Sequence, residues 1–206
     1  MSAAVDRAAV VDLVFSLAGE SLPRDHAQAL AAALLRRLPW LANAPDAGVH
    51  RINVVAGVGE QALLSHRARL AIRVVRERVP EVATLAGSVL DVGGCALRLG
   101  EAVQRELLAH GTLYAQVVTN ASADELQFLQ SVERELDALG VRGRAICGRR
   151  RVLRDETGTE RVGYSLLVDR LSADDSLRVQ QHGLGTHRHL GCGVFVPHRS
   201  AAAVAA

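Results

Sequence analysis

Lysine is missing from this 206-residue chain: all 24 of its basic side chains are arginine. Any contact with phosphate must therefore be made by a planar guanidinium fork and not by an ammonium point charge. Aromatic residues make up only 3% of the sequence, so the 49% apolar content has to build its cores mostly from Ala, Val and Leu. Cysteine occurs three times, at Cys95, Cys147 and Cys192, an odd number at wide spacing. That argues against a disulfide framework or a zinc knuckle and fits a reducing cytoplasm. No apolar stretch is long enough to span a bilayer. The N-terminal apolar run is broken by Asp6 and Asp12 with no small-residue cleavage site after it, so it reads as a strand and not as a signal peptide. No Gly-Lys-Ser/Thr occurs and no G-x-G-x-x-G follows a strand, which sets aside the common P-loop and dinucleotide sites.

What the chain does have is a late glycine loop, Gly183-Leu184-Gly185-Thr186-His187-Arg188-His189-Leu190-Gly191-Cys192-Gly193. Glycines two apart leave no Cβ to hold a ligand off the backbone, so exposed N–H groups here are candidates to approach a phosphate. By itself such a loop reads equally as a tight turn into a strand.

The length suits one large domain or two of about 100 residues. Val10–Leu17 reads as a strand, and Arg24–Leu38 as a helix with Ala27, Leu30, Ala31, Leu34, Leu35 and Leu38 on one face. Pro23 suits the first helical position and Pro39 stops the helix. Strands are expected at His50–Val55, Arg67–Val74 and Ser88–Val92, with a short helix at Pro80–Leu85, which together make one β-α-β-β-α-β unit. Gly93-Gly94 then turns into an arm, Cys95–Leu99, and Glu101–Leu108 suits a connecting helix. The order recurs in a strand at Leu113–Thr119, a helix capped by Ser122 or Asp124 with Leu126, Leu129, Val132 and Leu136 inward, and strands at Arg144–Leu153 and Arg161–Val168 around the turn 155–159. A helix at Asp174–Gln181, the glycine loop and a strand at Val194–Val196 complete it. The expected fold class is α+β: two tandem ferredoxin-like (RRM-like) units, at 1–109 and 110–200, with a basic hairpin and the glycine loop in the second and a disordered tail at 201–206.

Arginine is densest at 142–154, where Arg149, Arg150 and Arg151 stand together. A hairpin so charged can lie along a phosphate backbone, or be a solvated hairpin paired with Glu156 and Glu160. On Arg67–Val74 the alternation sets Arg67, Arg69 and Arg73 on a basic face. With Arg188 these move the balance toward RNA. His187 and His189 alternate without a supporting carboxylate, so phosphate or base contact suits them better than metal. His26 falls in the first turn of the first helix, where the helix dipole and Arg24 lower its pKa and favour the neutral imidazole that general-base chemistry needs. An ordinary helix-start histidine, offset by Asp25, fits the same position.

The late Gly-Φ-Gly-x5-Gly-x-Gly loop, the doubled ferredoxin-like plan and a histidine on the first helix resemble the CRISPR repeat-processing endoribonucleases of the RAMP superfamily, the pre-crRNA-cleaving Cas six family. Within it, Asp12-Leu13-Val14-Phe15, Leu22-Pro23-Arg24-Asp25-His26, Leu38-Pro39-Trp40-Leu41, Gly48-Val49-His50 and Leu64-Ser65-His66-Arg67-Ala68-Arg69-Leu70 look like the small myxan-subtype branch. The resemblance implies a cytoplasmic endonuclease of antiviral defence that cuts the CRISPR repeat in precursor RNA, without metal or other cofactor, by 2′-hydroxyl attack. His26 becomes the candidate catalytic base or acid. The RNA-binding candidates are Arg24, Arg67, Arg69, Arg73, Arg149, Arg150, Arg151, Gly183, Gly185, His187, Arg188, His189, Gly191 and Gly193. Some relatives use a lysine as electrostatic partner; here an arginine must serve. Tyr114 and Tyr164 are possible contributors whose strand positions suit packing. The partners implied are repeat RNA, precursor and mature, and other subunits of a CRISPR effector complex, with no membrane. The alternative is a non-catalytic repeat-binding subunit of such a complex, and beyond it an unrelated RNA-binding module.

Overall fold

Residues 9–120, 122, 124–154, 157 and 159–199 are described by the computed structural model. The first half of the chain runs β1 (Val10–Ala18), β2 (Ser21–Pro23), α1 (Ala27–Leu35), β3 (Gly48–Val49), β4 (Val55–Ala56), β5 (Gln61–Leu63), β6 (Arg69–Val75), α2 (Val79–Ala83), β7 (Val89–Val92) and β8 (Cys95–Glu106). The second runs β9 (Thr112–Thr119), α3 (Glu125–Ala138), β10 (Arg144–Arg154), β11 (Glu160–Asp169), α4 (Ala173–His182) and β12 (Val196–Pro197).

Each half folds around one antiparallel sheet, in the orders β3-β6-β1-β8-β7 and β10-β11-β9-β12. In both, the first strand lies between the third and fourth of a ferredoxin-like unit, as the tandem reading expects; β7 adds an outer strand to the first sheet, and β2, β5 and β4 form a small third sheet. Alternation drives the packing: Leu70, Ile72 and Val74 of β6 point inward and are buried with Phe15, Leu34 and Leu97. Phe128, Val132 and Leu136 of α3 bury against Leu113 and Leu166 of the second sheet. Each such side chain contributes about 1.5–3 kcal/mol by leaving water.

Several boundaries differ from the sequence reading, for tertiary reasons. Helix α1 starts at Ala27, not Arg24, because Pro23 pairs with Gln61 and the Arg24 amide donates to Glu60 O at 2.9 Å, which holds the chain extended. Pro39 opens a 3-10 turn, Pro39–Asn43. The expected strand at His50–Val55 does not form as one element: Gly48 and Val49, just before it, pair with β6, the chain leaves the sheet where Gly191 packs on Val49 and Arg51, and Val55 opens β4. Glu101–Leu108 is no helix: β8 continues to Glu106 because β1 pairs with it from Ala18↔Arg98 to Val11↔Glu106. The closing strand of the first unit is therefore β8, and the 88–92 segment is its edge partner. Leu126 is 65% exposed, and Phe128 takes the inward place assigned to it. Asp124 caps α3, accepting from the Gln127 amide at 2.9 Å. Residues 155, 156 and 158 of the expected turn, and the tail 201–206, lie outside the described residues.

The halves are tied at the C-terminal end of α4, whose last carbonyls have no partner within the helix. Arg73 of β6 donates through Nη1 to Gln180 O at 2.9 Å and Phe195 O at 2.8 Å. Its Nε and Nη2 grip Asp12 of β1 at 2.7 and 2.9 Å. Arg188, in the glycine loop, reaches the other way, donating to Pro45 O at 2.8 Å, Gln181 O at 3.0 Å and also His182 O. Two positive groups thus cap one helix end, where the dipole favours cations.

Although burial works to raise it, hydrogen bonds from His50 and Arg73 hold the Asp12 carboxyl well below the usual carboxylate range. A carboxylate depressed in the fold and titrating near about 3.9 when unfolded adds stability above that pH, and loses it as the pH falls toward the folded value. Asp12→Ala, which strands the Arg73 charge, is expected to lower the urea unfolding free energy by about 3–5 kcal/mol. Wild-type stability should also decline more steeply than the variant's below about pH 4. Matching acid profiles would remove Asp12 from this role.

Candidate active site and nucleic-acid interface

Strand alternation on β9 buries Leu113, Ala115 and Val117 and turns Tyr114 and Gln116 toward the first half. Opposite them, the turn that precedes α1 brings Arg24 and Asp25, and the segment after β3 brings Arg51. Arg151 and Leu153 of β10 close a third side, leaving a cleft of about 470 Å3. Arg24 is fixed there by donation from Nη2 to Gly57 O at 2.8 Å. Three guanidinium groups and one carboxylate thus line the cleft, a composition that favours an anion.

His26 occupies the N-cap of α1, beside that wall, and is only 2% exposed. Its Nδ1 lies 3.1 Å from Pro23 O, so this nitrogen carries the proton and donates, leaving Nε2 as a lone pair. Nε2 is buried and has no hydrogen-bond partner among the described residues. Burial pushes the imidazole pKa down, the Pro23 carbonyl and Asp25 work against it, and Arg51 adds to it. The ring is therefore neutral near pH 7, as the sequence reading expects, but the causes are burial and Arg51 where that reading named the dipole and Arg24.

Of the other expected residues, the structure brings Arg24 and Arg151 into the cleft and leaves the rest elsewhere. Arg149 and Arg150 are exposed on β10, where a register shift between Cys147 and Arg150 interrupts the pairing. Arg67 and Arg69 are exposed at the start of β6, outside this cleft, with Arg69 donating to Ala68 O at 2.7 Å. Arg73 and Arg188 are corrections: at 1% and 7% exposure their guanidiniums are internal ties, closed to phosphate. His187 and His189 border a different hollow of about 490 Å3, against residues 41–45. His187 stands in the left-handed region at φ 63°, with Nδ1 2.7 Å from Thr186 Oγ1. Tyr164 packs on Phe128 in the core.

The glycine loop also departs from expectation, because the amides of its four glycines are already in use. Gly183 N–H donates to Val179 O, Gly185 N–H to Glu135 Oε2, Gly191 N–H to Arg188 O and Gly193 N–H to Val117 O. The close approach that the glycines permit is to the protein's own backbone. A Cβ on Gly185, at φ 75°, would lie 2.2 Å from Thr119 O, and one on Gly193 would lie 2.0 Å from Leu184 O.

Sequence reasoning missed Arg51, Gln116 and His50. Nothing in their spacing marks them, since Arg51 follows β3 in an irregular segment and meets Gln116 only when the two sheets dock. Among the described residues, no group of three or more His, Cys, Asp or Glu is arranged to hold a metal ion.

Residues 11–200 match the family model described as Cas6 Crispr. Over 195 residues, 94% of this chain and 84% of the other, the sequence is 40% identical to the CRISPR-associated endonuclease Cas6 of Myxococcus xanthus. Among solved structures it superposes on one titled CRISPR associated protein Cas6 with a TM-score of 0.69 at 12% identity, over 92% of this chain and 100% of that one. It superposes on an RAMP protein binding different RNA substrates with a TM-score of 0.70 at 13% identity, again over 92% and 100%. At such identities the likeness is one of fold.

The geometry of the loop carries its own expectation. Gly185→Ala should lower thermal and denaturant stability by about 2 kcal/mol or more through the forced contact with Thr119, while a His187→Ala/His189→Ala double variant stays near wild type. Equal stability of the alanine variant and the wild type, measured by urea unfolding, would show that the loop is not packed as described.

Proposed function

The chain belongs to the Cas6 family of CRISPR-associated endonucleases, and on that footing we propose that it binds the CRISPR repeat in precursor RNA and cuts it to release guide RNA. The 2′ oxygen forms a bond to the adjacent phosphorus as the bond from phosphorus to the 5′ oxygen breaks. The products are a 2′,3′-cyclic phosphate and a 5′-hydroxyl, and no metal takes part. The observation that carries the site assignment is the convergence of Arg24, Arg51 and Arg151 on one cleft beside an unpaired, neutral imidazole nitrogen. His26 Nε2 is the base that takes the 2′ proton, and Arg51, the cation that acts on it, holds the scissile phosphate in place of a lysine. Arg67, Arg69, Arg149 and Arg150 extend the phosphate-binding surface beyond the cleft, with the His187 and His189 hollow as a further contact.

One observation favours the alternative of a non-catalytic repeat-binding subunit: the His26 ring is 2% exposed, so its nitrogen must be uncovered before it can reach a ribose. The cytoplasm, where repeat transcripts are made, is the proposed place of action. Among the described residues no helix is long and apolar enough to cross a membrane.

Purified protein in EDTA should cut a repeat RNA from its own genome and fail on the same RNA with the single 2′-hydroxyl at the cut site replaced by hydrogen. Loss of cutting in EDTA that magnesium restores would overturn the metal-free mechanism, and an uncut natural RNA would leave the binding subunit as the correct reading. His26→Ala is expected to reduce single-turnover cleavage by about 100-fold or more while changing RNA affinity only a few-fold. Arg51→Ala should weaken binding and reduce its salt dependence, because each neutralised phosphate releases counterions.

A further inference from the structure

Arg51, Tyr114 and Gln116 border a second hollow, of about 130 Å3, as well as the large cleft, so the two spaces adjoin at these three side chains. His50 lines the second hollow with its side chain 15% exposed. Behind it, Asp12 Oδ1 lies 3.2 Å from His50 Nε2, and Asp12 is itself gripped by Arg73. An ionised carboxylate only accepts, so Nε2 carries a proton and donates to it. Asp12 is the ring's only hydrogen-bond partner among the described residues, which leaves Nδ1 unbonded on a ring that lines the hollow.

We propose that His50 is a second catalytic residue of the RNA cleavage, the general acid that protonates the departing 5′ oxygen, with Asp12 as its positioning residue. This rests on the endonuclease reading above. His26 Nε2 takes the 2′ proton as the new P–O bond forms; His50 Nδ1–H gives one proton to the 5′ oxygen as the old P–O bond breaks. One proton is taken and one given, and exchange with water restores both rings.

The two imidazoles are held for different work, which is how a single site supplies both an acid and a base. His26 donates to a carbonyl, and no carboxylate is hydrogen-bonded to it among the described residues. His50 is backed by a carboxylate, which steadies an imidazolium as the aspartate of a catalytic triad does. Within the protein burial opposes that charge, as do Arg73 from β6 and Arg188 from the loop, while Asp12 from β1 favours it. A scissile phosphate held on Arg51 brings a second negative charge to the same ring, so the acid forms when substrate arrives.

The test compares single-turnover cleavage of repeat RNA carrying the normal linkage with the same RNA carrying sulfur in place of the bridging 5′ oxygen at the cut site. A thiolate leaves without needing a proton, because its conjugate acid is far stronger than an alcohol. His50→Ala should lose about 100-fold or more on the oxygen linkage and return to within about ten-fold of wild type on sulfur. His26→Ala should stay slow on both. His50→Gln, which keeps a donor for Asp12, should show the same rescue and carries the test if the alanine variant does not fold. A folded His50 variant that cuts the oxygen linkage at the wild-type rate, or is equally slow on both linkages, would overturn the assignment while leaving the endonuclease reading intact. Wild-type protein that cuts neither RNA would overturn both.

Discussion

The end of helix α4 is the point on which the arrangement of the two sheets depends. Three successive carbonyls, Gln180, Gln181 and His182, lie in buried or part-buried surroundings there, and each takes a guanidinium proton. Unpaired, each would cost about 1–3 kcal/mol. The two arginines come from opposite halves of the chain, and Arg73 reaches Gln180 O, as Arg188 reaches Pro45 O, only when both sheets are in place. Asp12 neutralises one of them, whereas Arg188 makes its hydrogen bonds to carbonyls, which is why burial and the neighbouring Arg73 push its pKa down to about 10. It remains charged at neutral pH.

This docking also creates the cleft. Arg24, Asp25 and Arg51 belong to the first half and Tyr114, Gln116 and Arg151 to the second, so the site has no existence within either sheet alone. The same ionic cluster serves both purposes. Asp12 faces Arg73 with both carboxylate oxygens and His50 with one of them, so fold and chemistry share a single carboxylate. A site built this way is rigid on the Asp12 side. On the other side His26 sits under cover at the start of α1, the helix whose Ala31 forms part of a small cluster with Val117, Leu153 and Leu190.

Much of the fold is legible in the sequence, because period-two alternation in β1, β6 and β9 and period-3.6 alternation in α3 follow directly from which side chains must leave water. The Gly-Φ-Gly loop and the N-terminal blocks also mark the family. What the sequence hides is set by distant partners. Glu101–Leu108 has no apolar alternation to betray a strand, since β8 beyond Gly100 is mostly exposed and is held in the sheet by pairing to β1. Arg73 alternates with buried residues and so reads as a surface charge, yet the face it occupies is covered by the second half of the chain. The glycines announce a close approach correctly but not what approaches them. Arg51 and His50 acquire meaning only from residues more than a strand away.

The ties at α4 span long stretches of chain: Arg73 is 107 residues from Gln180 and 122 from Phe195, and Arg188 is 143 from Pro45. Contacts of such sequence separation close late in folding, and on the ribosome they cannot close until nearly the whole chain has emerged. The first sheet can assemble while the second is still being synthesised, but the cleft cannot. Competence toward RNA therefore arrives in one step, with the completion of the last loop, and a nascent or prematurely terminated chain carries its arginines without a place to bring them together.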